Sequence, residues 1–135
     1  MTTGTLYTLG YAHPDATAQL ERLMTHTNII LVDIRHTPRS RWFPAWNRNA
    51  LTARYRHRYI WDQRLGNVNH DPQRRKLGIK LDEGHMDAVH TAAEMLLQGT
   101  SLILLCACKD PQKCHRVVVA KLIQDALQEI QEVQA

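Results

Sequence analysis

The sequence predicts an α/β fold: a single three-layer (Rossmann-like) domain spanning residues 1–135, with a mostly parallel sheet of about four or more strands. Three observations carry this. Strand-like and helix-like segments alternate along the chain. Ile29–Ile34 and Ser101–Leu105 are almost uninterrupted apolar runs, as expected of strands covered on both faces. The length of 135 residues suits one hydrophobic core, and no repeat, low-complexity tract or linker divides it.

The elements follow in order. Leu6–Gly10 reads as a short strand ending at a glycine turn. Asp15 is placed to cap a helix running to about His26, with Ala16, Leu20, Leu23 and Met24 at helical spacing. Ile29–Ile34 is the second strand, broken in character only by Asp33. A Pro- and Arg-rich loop follows around Pro38 and Pro44, and Asn47 is placed to cap a short helix through Tyr55. Arg58–Trp61 is the third strand. The polar stretch from Gly66 to Gly84 reads as a long surface loop, a kind of segment that is usually functional or mobile. His85–Leu97 is a helix stopped by Gly99, and Ser101–Leu105 is the fourth strand. The last helix runs from about Cys114 to Ile130, with Val119, Leu122, Ile123, Ala126, Leu127 and Ile130 as its inner stripe and a polar, frayed end beyond.

Composition narrows the class. No segment approaches the roughly 18 apolar residues of a membrane span, and Met1–Thr5 lacks a signal-peptide pattern. With three cysteines, an odd number, free thiols in a cytoplasmic protein fit better than a disulfide framework. The net charge of +4 is unevenly spread: Arg35 to Arg64 holds eight arginines, no lysine and one acid, so it carries +7 and the remainder −3. Six of the eight aromatic residues also fall there. A basic, aromatic zone on a mildly acidic body points to an anionic partner, either a small phosphorylated molecule or nucleic acid.

The strongest chemical signal is Leu104-Leu-Cys106-Ala-Cys108-Lys-Asp-Pro-Gln-Lys-Cys114-His115-Arg116, a strand, a loop and a helix start. Ligands of parallel α/β folds bind outside the carboxyl ends of strands, and a helix N-terminus there favours anions. The same surroundings depress the pKa of a thiol. Three readings stay open: Cys106 or Cys114 as nucleophile with Arg116 holding an anion, a metal set with His115, or cysteines that only pack. The cysteine spacing is not that of a usual zinc site, so no metal and no cofactor is expected. Rhodaneses and cysteine phosphatases share the strand–loop–helix arrangement with a following arginine, but the phosphatase spacing of five residues between Cys and Arg is absent: seven separate Cys108 from Arg116, and nine separate Cys106 from it.

This segment resembles the signature LLCAEKDPxxCHR of the family called domain of unknown function 488. Thr8-Leu9-Gly10-Tyr11 is similar to that family's opening motif, and Val32-Asp33-Ile34-Arg35-His36-Thr37-Pro38-Arg39-Ser40-Arg41 to its VDVRxxPxSR stretch. Asn47, Leu51 and Leu65-Gly66 fit further positions. The chain departs from the pattern at Cys108, usually glutamate, at Trp46, usually phenylalanine, and at Asn67, usually glycine. The resemblance implies an α/β fold with these polar motifs at one end, and no reaction.

Other candidates surround that end. Asp33 needs a partner if buried, and Arg35, Arg39 or Arg41 are available; it is either a loop-ordering ion pair or a catalytic acid or base facing the same cleft as Cys106. His13 and Gly10 follow the first strand, and Ser40 is placed to donate to a phosphate or to form a turn. Two functions follow. One is an enzyme for a small anionic substrate, with Cys106, Cys114 or Asp33 reacting and Gly10, His13, Arg35, Arg39, Ser40, Arg41, His115 and Arg116 binding. The other is a nucleic-acid-binding module using residues 35–64, with structural cysteines.

Overall fold

The structure, a computed structural model, describes residues 2–71, 73–107 and 115–134. Four strands, β1 (Leu6–Gly10), β2 (Ile29–Asp33), β3 (Tyr59–Trp61) and β4 (Ser101–Cys106), pair in parallel in the order β1-β4-β2-β3. Four helices, α1 (Ala16–Leu23), α2 (Arg48–Tyr55), α3 (His85–Leu97) and α4 (His115–Gln134), cover the sheet. The three-layer α/β architecture read from the sequence is the one found.

Side chains of successive strand residues point to opposite faces, and β4 shows the consequence. Leu102, Leu104 and Cys106 enter one core with Val89, Ala93 and Leu96 of α3 and Val119, Ile123 and Ala126 of α4. Ile103 and Leu105 enter the other, with Ala16 and Leu20 of α1 and Leu51 of α2. Leu102 to Leu105 are all fully buried, which explains the unbroken apolar run. Each such side chain contributes about 1.5–3 kcal/mol.

The order of strands fixes where a crevice opens. The chain moves outward from β1 to β2 to β3 through α1 and α2 on one face, then returns through α3 on the other face to insert β4 between β1 and β2. The helix after β4 therefore leaves on the opposite side from the helices after β1 and β2. The carboxyl end of β4 is a topological switch point, the place where open α/β sheets bind ligands.

Strands β2 and β3 are each one residue shorter than the sequence expectation and β4 one residue longer, and there are larger departures. α1 ends at Leu23 rather than near His26. There the Arg58 guanidinium donates to the carbonyls of Met24 (3.1 Å), His26 (2.5 Å) and Ile29 (3.2 Å), turning the chain from helix into strand. α4 continues past Ile130 to Gln134, because the last turns contain no breaker and Gln128 bonds Glu132 at 3.2 Å. The 66–84 segment is a folded excursion. Asn67 bridges antiparallel to Leu81, and its Oδ1 accepts from the Asn69 and Lys80 amides at 3.0 and 3.1 Å. Asp15 and Asn47 precede their helices without capping them through side chains; Asn47 Oδ1 instead accepts from the Ser40 amide.

Candidate functional site

The switch point holds a cavity of about 530 Å³. Tyr11 comes from the turn after β1, Arg35, His36, Thr37 and Arg39 from the loop after β2, Cys106 and Ala107 from the end of β4, and His115 from the start of α4. Asn67, His70 and Arg75 of the 66–84 excursion close the outer wall. Three arginines and three histidines face this space, and among the described residues no carboxylate does.

Backbone bonds fix the floor. The β1–β4 ladder continues beyond both strands, with the Tyr11 amide donating to Cys106 O at 3.0 Å and the Ala12 amide to Ala107 O at 3.1 Å. The Ile34 amide donates to Leu105 O at 3.0 Å. His115 Nε2 lies 2.7 Å from Ile34 O, which can only accept, so Nε2 carries the proton. Burial lowers the His115 pKa below its ordinary 6.5, outweighing the favourable bond to Ile34, and the ring is neutral near pH 7.

Arg35 is held from behind. Its amide, Nε and Nη2 donate to Asp33 at 3.1, 2.8 and 2.6 Å, and Nη2 also donates to Trp46 O at 2.5 Å. Tyr59 adds its hydroxyl to Asp33 Oδ2 at 2.5 Å. Asp33 is wholly buried and Arg35 nearly so. Burial alone lowers the Arg35 pKa, but the bond to and charge of Asp33 more than offset it, so the net shift is upward. Burial and the Asp33 carboxylate both raise the pKa of Tyr59, keeping it a donor. The guanidinium also lies 5.2 Å from the Tyr11 ring centre, and Tyr11 stacks on Trp46 at 5.6 Å. Arg35 Nη1 is buried with no hydrogen-bond partner among the described residues.

On the outer wall the His36 and His70 rings lie 5.1 Å apart. Gly66 permits this: a Cβ there would come within 2.6 Å of the His36 Cα and amide nitrogen. His70 lies 3.5 Å from the Thr37 hydroxyl. Desolvation, then the neighbouring His36, lowers the His70 pKa.

The candidate residues divide as follows. Arg35, Arg39, Cys106 and His115 line the cavity. Ser40 and Arg41 line a neighbouring groove that shares Thr37 and Arg39 with it. Asp33 lies behind Arg35 and reaches the cavity only through it. Gly10 accepts from the His13 amide in the turn after β1, and His13 Nδ1 accepts from the Asp15 amide at 3.1 Å; neither lines the cavity. Arg116 is buried with Nη1 3.9 Å from Cys106 Sγ. Cys106 is disulfide-bonded, which departs from the expectation of free thiols. Cys114 and the rest of 108–114 lie outside the described residues. Among the described residues no three His, Cys, Asp or Glu side chains gather as a metal set.

The sequence reading named Tyr11, His36 and Thr37 only as parts of the family motifs and Asn67 only as a departure from them, and it did not name His70 or Arg75. The one signal toward His70 and Arg75 was the length of the loop that carries them.

The basic zone is not one solvated surface. Arg35 and Arg58 are tied as described, Arg54 pairs with Glu21 at 3.0 Å, Arg64 with Asp62 at 2.8 Å, and Arg48 lies 4.7 Å from the Trp61 ring centre. Trp46 and Tyr59 are core residues, whereas Trp42 is 78% exposed. No helix among the described residues is long and apolar enough to cross a membrane.

Comparison with known proteins gives no match to a curated protein and none to a solved structure. A family model does match, over residues 15–123, a span that includes β2, β3, β4 and most of the cavity wall. The chain belongs to the family described as Domain of unknown function DUF488.

Proposed function

We propose that this protein is an enzyme whose substrate is a small anion, phosphorylated or nucleotide-like, held in the switch-point cavity. One observation carries the reading: a cavity at the ligand-binding end of a parallel sheet has arginine and histidine on its walls and, among the described residues, no carboxylate. Arg39 and Arg75 are exposed, so they are available to an incoming ligand. Arg35, its charge balanced by Asp33, offers its buried Nη1, unpartnered among the described residues, as a donor at the floor without needing to reorganise.

Cys106 is the reacting group in this reading. Its disulfide must first be opened by two equivalents of a small-molecule thiol: the first forms a mixed disulfide and the second displaces it, releasing the small-molecule disulfide and leaving two thiols on the protein. The Arg116 guanidinium 3.9 Å away then favours the thiolate. Asp33 acts through Arg35, as a positioning residue.

Calorimetric titration of the reduced protein with a nucleoside monophosphate and with the uncharged nucleoside tests this. The monophosphate is expected to bind and the nucleoside not. Arg39→Ala and Arg75→Ala each remove a charged hydrogen bond worth about 1.5–3 kcal/mol, roughly a 10- to 150-fold loss of affinity. Equal binding of the two ligands, or indifference to both substitutions, would refute it.

A further inference from the structure

Beside the cavity runs a second concavity, an open groove of about 670 Å³ lined by Thr37, Arg39, Ser40, Arg41, Pro44 and Asn47. Thr37 and Arg39 belong to both, so the two form a continuous path, and among the described residues the groove too has no carboxylate on its wall. Its donors are preset by the loop. The Ser40 amide is held by Asn47 Oδ1, and Ser40 Oγ accepts from the Phe43 amide at 3.1 Å, which leaves the hydroxyl proton to donate outward.

Two exposed aromatic rings adjoin residues of this path, although neither lines the groove itself. Trp42 is 78% exposed, with the Arg41 guanidinium 5.3 Å from its ring centre. Phe43 is 46% exposed and meets Tyr11, a cavity residue, edge-on at 5.7 Å. An exposed indole beside an arginine has no role in this core, and burial does not stabilise it there. Alternating cations and open aromatic faces are what single-stranded nucleic acids use: phosphates follow the charges, and bases stack on rings without regard to sequence.

We infer that the ligand is a single-stranded oligonucleotide, with one phosphate in the cavity, the next along Arg39 and Arg41, and a base stacked on Trp42. The inference rests on the anion-cavity reading and extends it from a mononucleotide to a strand. It confines recognition to Arg39–Phe43, whereas the whole 35–64 zone is largely tied up internally.

The test compares a 5′-phosphorylated thymidine tetranucleotide with thymidine 5′-monophosphate, with inorganic tripolyphosphate as a control carrying charge but no base. Wild type and Trp42→Ala are titrated by calorimetry and tryptophan emission. The tetranucleotide is expected to bind about tenfold or more tighter than the mononucleotide and to quench emission, with Trp42→Ala removing most of that gain and leaving mononucleotide affinity unchanged. Equal affinities, or a gain that survives Trp42→Ala and is matched by tripolyphosphate, overturn the strand path and leave the cavity reading standing. Binding of neither nucleotide overturns both.

Discussion

Asp33 and Cys106 end adjacent parallel strands yet point to opposite faces of the sheet. Asp33 is in register with Leu105, whose side chain enters the α1/α2 core, while Cys106, one residue on, enters the α3/α4 core. Asp33 therefore turns toward Tyr59 and Arg35, and Cys106 toward Arg116. One residue of register separates a positioning carboxylate from a sulfur at the cavity wall.

The Asp33–Arg35 pair is buried, so removing one partner leaves the other charge uncompensated. Asp33→Asn is expected to cost about 3–5 kcal/mol. Tyr59→Phe, which leaves the pair intact, is expected to cost about 1 kcal/mol. Urea denaturation measures both, and an unchanged midpoint in Asp33→Asn would show that the pair does not hold the loop.

Gly66 lies against the His36 backbone with no room for a side chain. Gly66→Ala is expected to destabilise by about 1–3 kcal/mol through forced backbone movement. The movement displaces His36, a cavity residue, so anion binding is expected to weaken as well. Gly78→Ala is the contrast. A Cβ there meets nothing, but its positive φ of 85° still disfavours a side chain, so stability falls while anion affinity holds.

Burial depresses the His115 pKa in the folded state relative to 6.5 unfolded. Above pH 6.5 the ring is neutral in both states and its contribution is fully present. As pH falls from 6.5 toward the folded value, the unfolded chain takes up a proton that the folded one refuses, and stability is lost. Urea midpoints measured across this window are expected to fall in wild type and to fall less in His115→Gln, which keeps a donor for Ile34 O.

His70 is also depressed, by desolvation and by His36, so the outer wall is less positive near neutrality than its residues suggest. An anion bound there raises that pKa. Affinity for inorganic sulfate, which does not itself titrate in this range, is expected to strengthen as pH falls below 6.5, with proton uptake read from calorimetry in buffers of different ionisation enthalpy. His70→Asn should abolish the uptake.

Alkylation of Cys106 by iodoacetamide is expected only after reduction, and bound phosphate should slow it. A Cys106 adduct in the unreduced native protein, read by mass spectrometry, would contradict the disulfide.

Much of the fold was legible in the sequence because its signals are local. The bounds of β1 and α3 follow from periodicity and glycine stops, and β4 announces itself as an apolar run. Strand order was not legible: parallel strands lack hairpin turns, and the insertion of β4 between β1 and β2 depends on contacts distant in sequence. The end of α1 escaped for the same reason, since Arg58 imposes it from more than thirty residues away. At the site, Arg35, Arg39, Cys106 and His115 stood out by residue type and motif. His70 and Arg75 did not, and Tyr11 stood only in the opening motif with no role attached, because the switch point and the bridge at Asn67 are what bring their separate loops together.

The most direct test of the cavity is a titration of the isotope-labelled protein with inorganic phosphate, followed by amide chemical shifts. The account predicts saturable shifts clustered at Tyr11, Arg35 to Arg39, His70, Arg75 and Ala107, and none of comparable size with an uncharged nucleoside. Shifts spread evenly over the exposed arginines, or none at these residues, would contradict it.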